Sequence, residues 1–222
     1  MKPSPRKADS DRSEYGRSVF INCPFNDGYK PFFEAVTFTV LDCGYEPRCA
    51  LEVSDSGQVR IDKILKLIAS CRFGIHDISR TELDATTLLP RINMPLELGL
   101  FLGAQRFGVG RDRRKSCLVL DREPYRYQKF ISDIAGQDIS AHNCDVTTLI
   151  ATMRNWLSTA SASAPMPGGM AITTRFNAFT ASLPDTAAKF QLGVGELTFK
   201  NYAHFALEWL REQLASSRDP LA

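Results

Sequence analysis

One carboxylate in an apolar segment is the residue of this sequence best suited to do chemistry. Glu97 lies within residues 94–103 (MPLELGLFLG), where its neighbours on both sides are apolar. A carboxylate in such surroundings needs a partner or a polar cleft, because burying an unpaired charge is costly. In a cleft, it can stabilise positive charge in a transition state or attack as a nucleophile. The structural alternative is a glutamate in the first turn of a helix, favoured there by the helix dipole.

Other polar side chains join Glu97 if the chain folds as an open parallel sheet. Asn93 lies four residues before Glu97, so both side chains occupy one face of a helix. In such a sheet, the loops that follow the carboxyl ends of the strands form the ligand crevice, especially where the strand order reverses. Polar residues follow the first apolar run, at 22–27, and the third, at 77–80. The predicted substrate-binding residues are Asn22, Pro24, Phe25, Asp27, Asp77, Ser79, Arg80 and Asn93.

Three arginines and one histidine near these positions admit more than one interpretation. Arg60, Arg80 and Arg91 could hold phosphate groups through paired hydrogen bonds, although a single arginine is usually a surface residue. His76 directly precedes Asp77 in the third apolar run, so the two side chains point to opposite faces of a strand. We therefore interpret His76 as a packed strand residue rather than as a general base.

Asp77, at the end of the third predicted strand, is also compatible with two roles outside ligand binding. The phosphoacceptor aspartate of a receiver domain occupies this kind of position, but that site also requires an acidic pair after the first strand and a lysine after the fifth. Here the first loop offers only Asp27, and the fifth strand runs into His142 and Asn143. Alternatively, Asp77 or Ser79 simply caps the loop that follows.

The elements that would carry these residues alternate between strand-like and helical patterns. Each strand-like run is followed by a helical one, in the order 19–22 and 30–42, 46–51 and 59–68, 72–79 and 93–102, 117–121 and 125–134, 138–141 and 146–158. Five such units with right-handed crossovers predict an α/β fold, a doubly wound parallel five-stranded sheet in the order 2-1-3-4-5. Gly99 and Gly103 predict a close approach of the third helix to its neighbours.

The flanks of this α/β domain, which we place at residues 18–160, differ from it in composition. Residues 1–17 are polar and predict a flexible N-terminal arm, with ordered structure beginning at Ser18. Small residues, Pro and Gly at 158–169 are typical of a linker. Residues 161–222 are thus predicted to form a linker and a small C-terminal α-helical extension, with helices near 173–183 and 196–214.

Composition excludes several classes of protein. The chain has 27 basic and 25 acidic residues, so nothing in its charge suggests a broad basic surface that binds nucleic acid. The six cysteines form no CxxC pair and have no histidines at zinc spacing, which favours reduced, buried thiols and no metal site. No apolar run reaches membrane-spanning length, and the N-terminus does not resemble a signal peptide, so we expect a cytoplasmic protein without membrane contact. No G-x-G-x-x-G, P-loop or G-x-S-x-G motif is present.

Residues 91–103 (RINMPLELGLFLG) resemble a helix of the bacterial TIR-like nucleotide-binding domains. That helix reads roughly Arg-x-Asn-Val-x-x-Glu-Leu-Gly-x-Phe-x-Gly, and a basic turn and a strand follow it, as residues 106–115 and 117–120 do here. The related nucleoside 2-deoxyribosyltransferases also carry a Glu-Leu-Gly helix after a third strand that contains Asp. Both groups are flavodoxin-like. The resemblance covers roughly residues 18–145 and is loose at 19–25, where TIR domains have a strand ending in Ser.

The resemblance implies an enzyme that cleaves the N-glycosidic bond of NAD, NADP or a related nucleotide, with the nucleotide as substrate and no further cofactor. Glu97 would be the catalytic carboxylate, the loop 22–27 would border the nucleotide, and Asp77 would lie beside the ribose. Loss of nicotinamide leaves oxocarbenium charge on the sugar while the base departs neutral, so one carboxylate supplies much of the stabilisation. Attack by Glu97 on the sugar would instead give a covalent intermediate and a transfer reaction.

The same resemblance implies partners and two alternative functions. TIR-like enzymes of bacterial immune or stress signalling suggest activity as a homo-oligomer or with an activating partner protein. Many TIR-like domains, however, are nucleotide-sensing or self-associating adaptors without turnover. The second alternative is an enzyme similar to the nucleoside 2-deoxyribosyltransferases.

Overall fold

The computed structural model describes residues 14–83, 88–161 and 165–216, and contains a five-stranded, all-parallel sheet with flanking helices. Its strands lie in the order β2-β1-β3-β4-β5, and each neighbouring pair is parallel. The predicted α/β, flavodoxin-like fold and its strand order are therefore confirmed. The strands are β1 (Ser18–Asn22), β2 (Glu46–Cys49), β3 (Phe73–Asp77), β4 (Ser116–Asp121) and β5 (Ile139–Ala141).

The α-helices follow the predicted helical patterns with one exception. Residues 125–134 form two short 3-10 turns, Arg126–Lys129 and Ser132–Ile134, instead of one helix. The buried Arg126 side chain holds the first turn in place, because it donates to Asp121 Oδ1 and to Ile78 O, each at 2.8 Å. The helices are α1 (Lys30–Asp42), α2 (Arg60–Ser70), α3 (Asn93–Phe107), α4 (Val146–Ala160), α5 (Gly169–Ala188) and α6 (Phe199–Ser216).

The chain divides into two compact units by packing. The described residues of 1–29 and 45–145 form the first unit, which contains the sheet with α2 and α3. In this unit every residue of β1 and β3 is buried, as is typical of central strands in a parallel sheet. Phe20 of β1 and Phe101 of α3 belong to one core cluster with side chains of α2.

A glycine lets β3 and α3 approach each other closely. A Cβ atom at Gly74 would lie 2.7 Å from His76 Nε2 and 2.8 Å from the Phe101 ring. No such close approach occurs at Gly99 or Gly103, because a Cβ atom at either position would meet no described atom within 4 Å. The prediction that these two glycines mark close helix packing was therefore wrong, because both lie away from the contact of α3 with the sheet.

The described residues of 30–44 and 146–222 form the second unit, so the two C-terminal helices pack together with α1 and α4. Phe38 of α1 stacks on Phe179 of α5, with ring centroids 5.4 Å apart. The Tyr202 hydroxyl of α6 donates to Glu34 O at 3.1 Å. The helices beyond residue 160 thus share a core with a helix from the first fifth of the chain.

Part of the predicted N-terminal arm is ordered. Its residues 1–13 lie outside the described residues, as do residues 162–164 of the predicted linker. Residues 14–17 form one helical turn, in which Tyr15 is 4% exposed and its hydroxyl donates to Arg111 O at 3.0 Å. Ordered structure therefore begins before Ser18.

Candidate functional site

A cleft of about 230 Å³ opens in the first unit, where β1 ends and α3 begins. The last residue of β1 and the loop that follows it contribute residues 22–26 to its lining, and α3 contributes Asn93, Met94 and Glu97. The volume is slightly below the roughly 300–1,000 Å³ of pockets that enclose drug-sized ligands, so the cleft suits a small ligand or one part of a larger ligand. Residues from the end of β1 and the start of α3 thus meet as the predicted topology requires.

Glu97 lies in the second turn of α3 and is only 7% exposed. Burial raises the pKa of its carboxyl above the ordinary value, and the nearby Arg60 lowers it in part. Arg60 Nη2 lies 4.0 Å from Glu97 Oε1, but the Arg60 side chain is 60% exposed, so solvent weakens this attraction. The first turn of α3 contains no acidic residue, so the structural alternative of a first-turn glutamate does not describe Glu97.

Asn22 connects the two strands at the cleft to the start of α3. It ends β1 and is 2% exposed. Its side-chain nitrogen donates to Met94 O at 2.9 Å and lies 3.0 Å from His76 Nδ1. The pair forms because Asn22 and His76 are in register across β1 and β3.

His76 is a buried aromatic residue of the sheet. It is fully buried, and its ring makes edge contacts with Phe20 and Phe101 at centroid distances of 5.8 and 4.9 Å. Burial lowers the pKa of His76 to about 3, so the imidazole is neutral at physiological pH. This agrees with the interpretation of His76 as a packed strand residue rather than a general base.

Cations outnumber carboxylates around the cleft. Arg60, Arg80 and Arg91 all line it, whereas Glu97 is the only acidic residue among the described residues of the lining. Arg80 makes one long hydrogen bond, from Nη2 to Gly28 O at 3.4 Å. An anionic ligand therefore fits the charge of this cleft better than a neutral one.

The predicted site residues divide into two groups. Asn22, Pro24, Phe25, Arg80 and Asn93 line the cleft together with Glu97. Asp27, Asp77 and Ser79 do not belong to its described lining, and Asp27 is exposed at the start of a 3-10 turn.

Asp77 has structural partners instead. It is completely buried and accepts a 2.5 Å hydrogen bond from the Tyr29 hydroxyl. Its Oδ1 accepts from the backbone N–H of Ser79 at 2.8 Å, and His142 Nε2 lies 3.2 Å from its Oδ2. Asp77 thus caps the loop after β3, and it lacks the access to solvent that a phosphoacceptor aspartate requires.

Three other lining residues were not named individually from the sequence, although two of them lie in the loop 22–27 that was predicted to border the nucleotide. Asn26 and Cys23 belong to the loop after β1, and Met94 takes part through its backbone carbonyl, which no side-chain motif could reveal. Burial and the neighbouring Asp77 hold the pKa of the Cys23 thiol well above its usual range, so this thiol is not an activated nucleophile.

Neither a metal cluster nor a spanning helix accompanies the cleft in the described residues. In residues 14–83, 88–161 and 165–216, no three His, Cys, Asp or Glu side chains are placed to hold a metal ion. None of the helices in these ranges is long and apolar enough to cross a membrane. No family model matches the chain, and no curated protein matches it in sequence.

Proposed function

We propose that the chain is a TIR-like nucleotide-binding protein that cleaves the N-glycosidic bond of NAD, NADP or a related nucleotide, in bacterial immune or stress signalling. The observation that carries the proposal is the environment of Glu97. This carboxylate lines a cleft and is nearly buried, and the cation that lies 4.0 Å from it, Arg60, is largely exposed. A carboxylate that only stabilised the fold would be expected to have closer and more buried partners.

The proposed reaction breaks the bond between C1′ of the ribose and the base nitrogen. The electron pair leaves with the base, so the cationic nicotinamide of NAD departs as a neutral molecule. Glu97 stabilises the positive charge that develops on the sugar. Water then adds to C1′ and loses its proton to Glu97, which is a stronger base than an exposed glutamate because burial raises its pKa.

The arginines favour a nucleotide over a nucleoside as substrate. Arg60, Arg80 and Arg91 surround the same cleft as Glu97. Their guanidinium groups present paired N–H donors that match the geometry of phosphate oxygens. A pyrophosphate such as that of NAD would use these donors, whereas an uncharged nucleoside, as in the deoxyribosyltransferase alternative, would leave them without a ligand.

The test is to incubate the purified protein with NAD, NADP, nucleosides and deoxynucleosides, over a range of protein concentrations, and to follow base release by chromatography. We expect release from a phosphate-bearing substrate that Glu97→Gln abolishes without changing the circular dichroism spectrum. Glu123→Gln is the matched control, since the Glu123 side chain is 61% exposed and lies outside the cleft lining. The concentration series covers an activity that requires a homo-oligomer. Release that survives in Glu97→Gln would refute the proposed role of this residue.

A second candidate function, a self-associating TIR-like adaptor, is favoured by apolar side chains that precede Glu97. Leu88, Leu89, Ile92 and Leu96 are each 56–68% exposed within nine residues. Exposed apolar clusters of this kind often mark protein–protein contacts. If no base is released at any concentration, and Ile92→Asp lowers the mass measured by light scattering, the adaptor becomes the better proposal.

A further inference from the structure

The chemistry of its neighbours fixes which way the Asn22 amide points. Met94 O can only accept a hydrogen bond, so the group 2.9 Å from it must be the amide NH2 of Asn22. The same nitrogen lies 3.0 Å from His76 Nδ1. An NH2 group has two hydrogens, and these two acceptors use both of them. His76 Nδ1 must then be unprotonated, and the ring proton is on Nε2.

The amide oxygen of Asn22 is the group left for a ligand. It makes no hydrogen bond with any described residue. It also keeps some exposed surface, because it is not one of the fully buried side-chain atoms that lack a hydrogen-bond partner in the described chain. Asn22 is otherwise buried and lines the cleft, so its small exposed surface faces the space where a ligand would lie. Met94, which orients the amide, belongs to the turn of α3 directly before Glu97.

We propose that Asn22 Oδ1 accepts a hydrogen bond from a ribose hydroxyl of the ligand, and that His76 is a positioning residue that, together with Met94 O, holds the amide in this orientation. This inference rests on the proposed function and adds a specificity determinant to the same cleft. A reversed amide would place Oδ1 against Met94 O, which brings two acceptors together without a hydrogen between them. The cleft therefore offers an acceptor, which a hydroxyl satisfies and a deoxy carbon does not.

The burial of His76 keeps this arrangement constant. The ring is held between Phe20 and Phe101, and nothing but Asn22 meets its Nδ1 among the described residues. Because burial lowers the pKa of His76 to about 3, Nδ1 remains an acceptor throughout the physiological range of pH. The amide of Asn22 thus keeps both acceptors without rearrangement when a ligand enters.

Calorimetric titration with three probes tests the assignment. The probes are adenosine 5′-monophosphate, its 2′-deoxy analogue and its 3′-deoxy analogue. In the unmodified protein we expect one deoxy probe to bind roughly tenfold more weakly, the effect of one lost hydrogen bond, and all three to bind Asn22→Ala within about twofold of one another. The ratio that matters is the affinity for adenosine 5′-monophosphate divided by the affinity for the weaker deoxy probe. Asn155→Ala, which changes an exposed asparagine of α4, should keep the ratio of the unmodified protein.

His76→Phe separates positioning from space filling. The phenyl ring keeps the contacts with Phe20 and Phe101 but removes the acceptor, so the ratio should fall towards that of Asn22→Ala. A histidine that only filled space would leave the ratio of the folded protein unchanged. If His76→Phe does not fold, the tautomer of His76 in the unmodified protein tests whether its Nδ1 accepts from the Asn22 amide. Nitrogen-15 NMR should find the proton on Nε2, and a proton on Nδ1 would overturn the assignment.

The outcomes also distinguish this inference from the proposed reaction. Equal binding of the three probes to the unmodified protein, or no binding at millimolar concentration, overturns the role of Asn22. If Glu97-dependent base release is found but the ratio is insensitive to Asn22→Ala, only this inference fails. If the ratio depends on Asn22 but no base is ever released, the proposed reaction fails and the assignment of Asn22 stands.

Discussion

Burial and a nearby guanidinium act on the Glu97 carboxyl in opposite directions. Desolvation raises its pKa and the Arg60 charge lowers it, and both act on a side chain that lines the cleft. If the carboxylate form is the active one, the acid limb of the pH profile reports the pKa of Glu97. Arg60 then matters for the pH range of activity even though its ion pair contributes little to stability.

If the proposed reaction occurs, Arg60→Gln should shift the acid limb of base release to higher pH. Removal of the cation leaves the effect of burial uncompensated, so the pKa of Glu97 rises and the carboxylate form is lost at a higher pH. Arg60→Lys keeps the charge and should shift the limb less. The measurement is the rate of base release between about pH 4 and about pH 8, a range that begins just below the ordinary pKa of a glutamate, 4.5, and extends upwards because burial raises the pKa of Glu97. A shift of Arg60→Gln to lower pH would contradict this account.

His76 should make the protein less stable in acid. Its pKa is about 3 in the folded protein, against an unperturbed value of about 6.5, so the unfolded chain binds a proton in this window and the folded chain does not. The free energy of unfolding should thus fall as pH falls from about 6.5, by at most roughly 1.4 kcal/mol per pH unit from this group. Carboxyl groups with raised pKa values, such as Glu97 and Asp121, oppose the trend. They are common to the unmodified protein and His76→Phe, so urea denaturation of both at pH 5 and pH 7 isolates the histidine. Parallel losses in the two proteins would contradict the prediction.

For single residues, the sequence could predict which polar side chains follow the strands, but not which of them bind a ligand and which stabilise the fold. Asn22 and Glu97 reach the cleft because the strand order places the end of β1 beside the start of α3. Asp77 follows His76 in β3 and points the other way, where Tyr29 binds it. That partner belongs to a turn whose position depends on the folded chain, so the sequence left the ligand role and the capping role equally open.

At the scale of elements, periodicity and the rules of parallel sheets were sufficient for the strand order. The contacts between elements were not predicted, because they depend on register and on single close approaches. Gly74 allows Phe101 of α3 to reach the sheet, whereas a Cβ atom added at Gly99 would meet no described atom within 4 Å. The 3-10 turns after β4 likewise depend on Arg126, whose buried partner Asp121 is known only from the fold.

Alanine substitutions should separate these glycines. Gly74→Ala should destabilise the protein by roughly 1–3 kcal/mol, as overpacking does, because the new Cβ meets His76 and Phe101 at less than 3 Å. Gly99→Ala should stabilise it by roughly 0.5–1 kcal/mol, since alanine favours the helix and meets no described atom. Urea denaturation of the two variants beside the unmodified protein measures both effects. Equal effects of the two substitutions would show that the β3–α3 contact is looser than described.

At the scale of the whole molecule, the chain is not a sheet domain followed by an independent tail. The second unit takes α1 from near the N-terminus and α4, α5 and α6 from the last third of the chain. Asp42 of α1 pairs with Arg175 of α5 at 2.8 Å, and aromatic side chains from α1, α5 and α6 share one core. Composition predicts a linker near residues 158–169, but only the folded chain reveals that α1 packs with the helices that follow that segment.

Phe179→Ala should therefore destabilise the second unit severely. Phe179 is completely buried and contacts Phe38, Tyr202 and Trp209 at centroid distances of 5.4 to 5.9 Å. Truncation to alanine removes these contacts and leaves a cavity, at a cost of roughly 3–5 kcal/mol.

Met170→Ala is the matched control in the same helix, because Met170 is 71% exposed and its truncation should change the free energy of unfolding by no more than about 0.5 kcal/mol. Urea denaturation followed by tryptophan fluorescence suits the measurement, since Trp209 belongs to the affected core. A small effect of Phe179→Ala would mean that α5 is a dispensable appendage. A loss in the expected range would mean that α1 folds stably only with the helices from the other end of the chain, and that a fragment ending at residue 160 would expose the core face of α1.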